Sequence, residues 1–278
     1  MSKSQPVIFL SHGGGPSYYL SSQDMPIFKG MDKDSTAAQY LQNLSRNAGL
    51  SKPDAIVVLS AHWEEPVCSV LSNPRPSLYF DYEGFPPETY KLTWPVPGSP
   101  QVANKVEGLL QGEGIRTRQE KSRGLDHGVF VPLKLAFPDA DIPVLQVSLL
   151  QNLDMKDHLA IAEALSPLSA ENILLVGSGF TTHGGMWKWE TKPQPWLLHY
   201  QTWLHDVLFN PSYSAKERKD KILKYSSVPN FQKAHKRIEH FLPMMMASAA
   251  ANYRPGKVIF SEFLGDTMLN EHYLFPPE

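Results

Sequence analysis

The chain has 278 residues and a net charge of −2, and its 42% hydrophobic and 19% charged residues are typical of a globular protein. The near-neutral charge argues against a nucleic-acid partner, and no apolar run in the sequence reaches the length of a membrane helix. A single cysteine, Cys68, excludes a disulfide framework and a cysteine-based metal cluster. The polar N-terminus is unlike a signal peptide, so we expect a cytoplasmic protein.

Apolar runs of strand length alternate with segments of helical periodicity along the chain. Strands are predicted at 6–10, 54–60, 141–149, 172–176 and 257–263, and helices at 36–50, 101–110, 129–137, 155–168, 196–208 and 231–251, the last interrupted by Pro243. The proline-rich residues 73–100 are predicted to form a long loop that carries pocket residues. Continuously apolar strands that alternate with helices favour a parallel sheet. We therefore expect one α/β domain over residues 1–278, with a mostly parallel central sheet flanked by helices on both faces.

Three histidines follow predicted strands closely. His12 and His62 each come two residues after a strand, and His183 comes seven residues after another. Ligands of open α/β sheets bind outside the carboxyl ends of the strands, so we expect these three side chains to face one cleft. Imidazole is the commonest metal ligand and suits zinc, iron, copper and nickel. The lack of cysteine ligands favours a catalytic metal site over a structural one.

The other histidines need separate interpretations. His127 precedes a predicted helix, where either its ring faces the cleft or the segment simply supplies Asp126 as a helix cap. His240 follows Glu239 at the start of an apolar stretch, and the spacing puts His235 on a different face of the same predicted helix. The remaining four are predicted to be structural residues on polar surfaces or near the terminus: His158, His199, His205 and His272.

The segment His12-Gly13-Gly14-Gly15 resembles three glycine-rich motifs, but each lacks a required partner. The oxyanion hole of a lipase or esterase needs a Gly-x-Ser-x-Gly elbow, which the residues around Ser178 do not form. A dinucleotide fingerprint needs glycine where Tyr18 stands, and a P-loop needs Gly-Lys-Ser/Thr where Pro16-Ser17 stands. We therefore interpret the glycines as a turn that makes room for His12 and for a substrate.

Several segments, in this order and spacing, resemble the class III extradiol ring-cleaving dioxygenases, most closely their DOPA 4,5-dioxygenase branch. The resemblance covers most of the chain and lies in SHGGGP at 11–16, SAHW at 60–63, GFPPETY at 84–90, residues 90–100, LDHG at 125–128, residues 177–183 and EHFLP at 239–243. Each segment is weak alone, but their order makes the resemblance specific.

The resemblance implies a role for each of these histidines. It implies that His12, His62 and His240 bind the metal, that His183 is the acid/base and that His127 contacts substrate or oxygen. In the protocatechuate-cleaving branch the third ligand is a carboxylate, so Glu239 is the alternative to His240. The resemblance implies Fe(II) as the active metal, although Zn(II) can occupy such a site in a crystal.

The expected substrates are O2 and a small aromatic diol such as DOPA or caffeate, which would be opened to a muconic semialdehyde. Trp63, Phe85 and Tyr90 lie near the motifs and are candidates for the wall of the substrate pocket, although each is equally compatible with an ordinary core position. Neither the particular catechol nor the oligomeric state follows from the sequence.

Two other functions stay open on the sequence alone. A zinc-dependent hydrolase is compatible with the same residues, because a histidine site with an open position also activates water. A metal-free binding protein on the same fold is the second alternative, and the presence of His12, His62 and His240 together argues against it.

Overall fold

The computed structural model of the protein describes residues 4–184, 188 and 192–277. The described residues form one eight-stranded sheet. In chain order its strands are β1 (Val7–Ser11), β2 (Ala55–Glu65), β3 (Cys68–Leu71), β4 (Thr117–Glu120), β5 (Val144–Leu150), β6 (Ile173–Gly179), β7 (Lys257–Leu264) and β8 (Met268–Phe275). They lie in the order β4-β3-β5-β2-β6-β1-β8-β7. The pairs β1–β6, β2–β5, β2–β6 and β3–β4 are parallel, which confirms the predicted mostly parallel sheet.

The helices alternate with these strands as the sequence predicts. They are α1 (Thr36–Gln42), α2 (Leu44–Ala48), α3 (Pro100–Gly112), α4 (His127–Ala136), α5 (Met155–Leu165), α6 (Pro195–Phe209), α7 (Ala215–Leu223), α8 (Phe231–Ala234) and α9 (Leu242–Ala250). The predicted loop over 73–100 is present up to Ser99, where α3 follows, and it contains a short 3-10 helix at Pro87–Lys91. Within the described residues no helix is both long and apolar enough to cross a membrane.

Helices cover both faces of the sheet, as two consecutive residues of β6 show. Gly177 lies directly against Pro243 and Ala247 of α9, whereas the hydroxyl of Ser178 donates to the carbonyl of Gly128 in α4 at 2.5 Å. Adjacent residues of a strand point to opposite faces, so α4 and α9 lie on opposite sides of the sheet. Burial on both faces explains why β1 and β6 read as continuous apolar runs.

The predicted end of the second strand was wrong. Strand β2 continues to Glu65, so His62 lies inside the strand and not beyond its end. The register of β2 against β5 shifts between Leu59 and Glu64, after which pairing resumes. Polar residues interrupt the apolar pattern at Ser60, but backbone pairing with β5 does not depend on that pattern.

The long helix predicted at 231–251 was also wrong, because the structure contains two separate helices there. Helix α8 ends at Ala234, where His235 takes an extended conformation with φ −140°. Pro243 does not interrupt a helix but lies in the first turn of α9, where its fixed φ favours helix initiation. His240 therefore precedes α9 in an irregular segment and does not share a helix with His235.

Two histidines predicted on polar surfaces or near the terminus are buried. His158 accepts a hydrogen bond from the backbone N–H of Leu150 at 2.9 Å, and His272 Nδ1 accepts one from the N–H of Ser11 at 3.1 Å. Both are structural, as predicted, but they stabilise the interior. His199 is exposed and His205 is half-buried.

Three strands were not predicted from the sequence: β3, β4 and β8. The residues of β8, MLNEHYLF, are all buried although three of them are polar. The predicted helix at 36–50 is divided at Asn43 into α1 and α2, and it ends at Gly49, which has φ +66°. Polar residues of β8 have partners that are distant in the sequence, as Glu271 has in Gln201 and His205.

Candidate metal centre

The rings of His12, His62 and His240 meet at the carboxyl edge of the sheet. His62 Nε2 lies 3.0 Å from His12 Nε2 and 3.2 Å from His240 Nε2. His12 comes directly after β1, His62 lies in β2, and His240 precedes α9. Two nitrogen atoms bound to one ion at about 2.1 Å are at most about 4 Å apart, so His62 Nε2 has the spacing of a shared ligand with each of the other two atoms.

The ring of His12 is held in one tautomer by β6. Ser178 Oγ donates its single hydrogen to the carbonyl of Gly128, so it accepts from His12 Nδ1 at 2.9 Å. The Nε2 atom of His12 therefore carries a bare lone pair towards the other two rings. Ser178 shares β6 with Gly177 and Gly179, where the lack of a side chain lets the backbone around His240 and Pro243 lie directly on the strand.

A carboxylate holds the ring of His240 in the same way. His240 Nδ1 donates to Glu239 Oε1 at 2.8 Å, which leaves its Nε2 as a bare acceptor. The Nε2 atom of His12 and the Nε2 atom of His240 thus each point a lone pair at His62 Nε2. That atom can supply a hydrogen to at most one of them. A buried cluster of acceptors with too few hydrogens is a site that fits a metal cation.

His127 lies on the other side of His62, with ring centroids 3.9 Å apart. Its Nδ1 and its backbone N–H both donate to Asp81 Oδ1, at 2.8 and 2.9 Å, and Asp81 Oδ2 lies 3.7 Å from His62 Nδ1. Burial disfavours the ionised form of Asp81, but the hydrogen bonds that it accepts from His127 help to lower the pKa of the carboxyl overall. The ring of His127 therefore faces the cluster, which resolves the two interpretations of its position.

His183 stands at the outer edge of the cluster. Its side chain is 50% exposed, its ring stacks on that of His240, and its Nδ1 lies 3.7 Å from Glu239 Oε1. Its backbone N–H donates to the carbonyl of Ala234 at 2.7 Å, which ties the segment after β6 to the end of α8. Among the five histidines of the cluster, His183 is the one that solvent reaches most.

Two sets of three side chains place their ligand atoms within 4.8 Å of one another. They are His12, His62 and His127 on one side, and His183, Glu239 and His240 on the other. The short Nε2 distances from His62 to His12 and to His240 join the two sets. The predicted residues thus lie in one site, and His127 and Glu239 are adjacent to the three rings.

Burial sets the charge of the rings. It lowers the pKa values of His12, His62 and His240 well below the usual value, and the neighbouring imidazoles lower them further. Burial also lowers the pKa of His183. These rings are neutral at pH 7, which is the form of histidine that binds metal ions and accepts protons.

Asp126 does not cap α4 with its side chain, although it occupies the N-cap position. Its buried carboxylate accepts from Ser60 Oγ at 2.8 Å and from Gln146 Nε2 at 2.7 Å. Arg123 Nη2 lies 3.3 Å from the same carboxylate and donates to the carbonyl of His62 at 2.9 Å. Burial raises the pKa of Asp126. This network fixes the backbone on both sides of the His62–His127 contact.

The predicted pocket residues occupy different surroundings. Phe85 packs on Phe28 and on Tyr82, with ring centroids 5.5 and 5.3 Å apart, and Tyr90 contacts Tyr82 at 5.2 Å. Tyr82 in turn lies 6.0 Å from His127, so these rings form a wall that reaches the cluster. Trp63 is buried next to the guanidinium of Arg123 and donates to Glu65, which also suits a core position.

Glycines of the turn after His12 support this wall. A Cβ on Gly14 would come within 2.5 Å of Phe28, and a Cβ on Gly15 within 2.8 Å of Phe85. Gly15 also has φ +55°, a conformation that disfavours other residues. The space that the glycines leave open is therefore filled by two aromatic rings.

Sequence reasoning missed Asp81, Tyr82 and the orienting role of Ser178. Asp81 and Tyr82 lie in the 73–100 loop, where no periodicity shows which residues face inwards. The sequence motifs suggest Ser178 only as a candidate nucleophile, whereas its hydroxyl orients His12. One feature of the sequence does point to Ser178. It lies at the end of a predicted strand, as His12 does, so the two side chains are expected at the same edge of the sheet.

Comparisons with known proteins give a consistent picture. The family described as the catalytic LigB subunit of aromatic ring-opening dioxygenase matches residues 6–275. The 4,5-DOPA dioxygenase extradiol of Beta vulgaris is 36% identical over 250 residues, which cover 88% of this chain and 91% of that protein. The dioxygenase tasH of Hapsidospora irregularis is 42% identical over 178 residues, 64% of this chain and 54% of that protein.

A solved structure shows the same fold. The crystal structure of an uncharacterised protein from Escherichia coli K12 superposes with a TM-score of 0.78 at 24% sequence identity, and the match covers 98% of this chain and all of the other.

Proposed function

Since this chain belongs to the LigB family of aromatic ring-opening dioxygenases, we propose that it is a metal-dependent extradiol dioxygenase of a small catechol. It inserts both atoms of O2 and opens the ring beside the two hydroxyl groups, which gives a muconic semialdehyde. The observation that carries the proposal is that the Nε2 atoms of three histidines converge. In two of these rings, His12 and His240, the Nδ1–H already donates to Ser178 or Glu239. The single cysteine, which is buried, supports a reducing compartment such as the cytoplasm.

His12, His62 and His240 hold the metal in this proposal. Fe(II) bound there would bring catechol and O2 together and conduct electrons between them. We assign the third position to His240 and not to Glu239, because His240 Nε2 lies 3.2 Å from His62 Nε2, whereas Glu239 Oε1 accepts from the other nitrogen of the His240 ring at 2.8 Å. A carboxylate behind a ligand histidine fixes the ring and raises its basicity.

His183 is the proposed acid/base. Its Nδ1 faces Glu239, so its Nε2 is the atom that takes a proton from a catechol hydroxyl and later returns one to the opened product. The half-exposed position of the ring gives substrate and solvent protons access to it. Because burial lowers its pKa, the ring is neutral and ready to accept a proton at pH 7.

His127 orients the substrate. Asp81 fixes its Nδ1–H, so Nε2 accepts a hydrogen bond from a substrate hydroxyl. The aromatic wall that ends at Tyr82 would pack against the substrate ring and exclude water, with Phe85 and Tyr90 behind it. For Trp63, a place in the same wall is supported by the sequence alone.

The experiment is a catechol screen with protein loaded with Fe(II) under anaerobic conditions. Addition of O2 with about a dozen catechols, DOPA and caffeate among them, is expected to give a yellow ring-opened product and one O2 consumed per catechol. His12→Ala treated in the same way serves as the control for free iron. Failure of every catechol to give either signal would contradict the dioxygenase proposal.

A zinc hydrolase is the second candidate, because three histidines with an open position are also a common catalytic zinc site. The same screen separates the two functions. A zinc-loaded protein that hydrolyses an ester without consuming O2, while the iron-loaded protein leaves every catechol intact, would favour the hydrolase.

A further inference from the structure

We propose that Asp81 is a positioning residue that holds His127 in the Nδ1–H tautomer and links it to the metal-binding ring of His62. This inference rests on the proposed function of the site. It assigns a role to the 73–100 loop, which would supply the group that makes His127 Nε2 an acceptor for the substrate.

The contacts of Asp81 are directional. Oδ1 receives two hydrogen bonds from one residue, from the backbone N–H and from the ring Nδ1 of His127, at 2.9 and 2.8 Å. Two bonds to one oxygen fix both the position and the rotation of the ring. A carboxylate accepts hydrogen bonds and does not donate them, so the hydrogen lies on Nδ1, and in the neutral imidazole the lone pair then lies on Nε2.

The surroundings keep water out of this pair. The side chain of Asp81 is 11% exposed and that of His127 is 8% exposed. Tyr82, the next residue, packs its ring edge-on against His127 at 6.0 Å. Water therefore competes poorly for the Nδ1–H, and loss of the carboxylate would leave this N–H without its partner.

The loop that carries Asp81 is anchored to the segment that carries His127. The backbone of Leu125 receives a hydrogen bond from the N–H of Tyr79 at 2.7 Å and donates one to the carbonyl of Ser77 at 2.8 Å. In one segment these bonds lie two residues before His127, and in the other they lie two and four residues before Asp81. The distance between the two functional groups is thus set by backbone pairing.

Glu239 provides an internal comparison. It lies 2.8 Å from the proposed ligand His240 and 3.7 Å from His183. Asp81 has the same two distances with the roles exchanged, 2.8 Å to His127 and 3.7 Å to the proposed ligand His62. Each carboxylate joins one proposed ligand to one histidine that is not a proposed ligand. Removal of Asp81 should therefore affect turnover more than metal binding.

The first test is nitrogen NMR of metal-free protein with ¹⁵N-labelled histidine, in which His127→Gln identifies the His127 signal. Wild type and Asp81→Asn are expected to show the Nδ1–H tautomer, because the asparagine oxygen can still accept the bond. Asp81→Ala is expected to show the Nε2–H tautomer, which histidine prefers in water. Asp54→Asn, an exposed site, is the control. Retention of the Nδ1–H tautomer in Asp81→Ala would overturn the proposal.

The second test separates turnover from metal binding. Asp81→Ala is expected to lower kcat by about 10- to 100-fold while metal content stays at the wild-type level, and Asp81→Asn is expected to recover part of the loss. A wild-type kcat in Asp81→Ala, or metal loss without a change in tautomer, would also overturn the proposal. The NMR measurement needs no turnover, so it decides the role of Asp81 even where no catechol is cleaved.

Discussion

The ring of His183 lies flat on the ring of His240, with centroids 3.7 Å apart and planes inclined by 15°. The contact brings a half-exposed imidazole against a buried one, and Glu239 Oε1 approaches both. A substitution at His183 therefore alters packing against a proposed metal ligand as well as proton transfer. Separation of the two effects requires a variant that keeps a planar ring.

His183→Phe is such a variant. It retains a ring for His240 to stack on but cannot carry a proton, so we expect unchanged metal content and a kcat lowered by about 10²- to 10⁴-fold. Metal analysis and O2 uptake on the same samples check this. His12→Ala is the reference for metal loss. Turnover near the wild-type rate in His183→Phe would show that the acid/base is another group.

Ser178→Ala tests the support of His12. Loss of the hydroxyl leaves His12 Nδ1–H without its acceptor, so we expect metal affinity to fall by about 10- to 100-fold. Competition with a chelator measures the affinity. Ser248→Ala is the matched control, since Ser248 is also buried and its hydroxyl has no hydrogen-bond partner among the described residues. Equal affinities of the two variants would argue against the assigned tautomer.

His240→Ala and Glu239→Gln distinguish the two candidates for the third ligand. We expect His240→Ala to lose the metal. Glu239→Gln retains an oxygen that can accept from His240 Nδ1, so its affinity should fall by less than about 100-fold. Metal titration of both variants gives the comparison. A larger loss in Glu239→Gln than in His240→Ala would make Glu239 the ligand.

The buried His272 predicts a loss of stability in acid. Burial lowers its pKa from 6.5 to about 4. Between these values the unfolded chain binds a proton that the folded chain does not, so stability present above pH 6.5 is lost as the pH falls towards 4. The loss amounts to about 3 kcal/mol for this one group.

His272→Phe isolates this contribution in urea unfolding of the metal-free protein. At pH 7.5 the variant should be about 1 to 3 kcal/mol less stable, because Ser11 N–H loses its acceptor. The difference should shrink steadily towards pH 4.5. His199→Phe, at an exposed site, is the control for the substitution itself. A constant difference at every pH would contradict the assignment to His272.

Gly15→Ala tests the contact between the glycine turn and the aromatic wall. The new Cβ would lie 2.8 Å from Phe85, so the ring must move, in addition to the strain of about 1 to 2 kcal/mol at positive φ. Gly49→Ala has similar strain, with φ +66° and no atom within 4 Å. We expect Gly15→Ala to be the less stable variant in thermal unfolding and to have a raised KM. Equal stability would show that Phe85 adapts freely.

The sequence predicts the parts of the site that follow directly from strand ends. His12 and His183 lie beyond β1 and β6 because the apolar runs mark those strands clearly. His62 joins the same cluster although the strand that holds it was predicted too short. The position of His240 could not be derived from periodicity, because it lies in an irregular segment between two short helices.

Partners that are distant in sequence account for what was missed. Asp81 and His127 are 46 residues apart, and no local pattern connects them. Strand β8 was missed because it contains Glu271, whose buried carboxylate is paired with Gln201, Ser261 and His205. From the sequence alone, a polar residue is predicted to be exposed, because the partners that allow its burial are not visible there.

The order of the strands in the sheet has a consequence for how the protein matures. His12 lies near the start of the sequence and His240 near its end, and β8, the last described strand, pairs with β1 just before His12. On the proposed ligand set, a chain emerging from the ribosome cannot assemble the metal site until residues up to His240 have been synthesised. An ion bound at 100 times its Kd would then add about 2.7 kcal/mol to global stability, so metal uptake would act as the last step of folding.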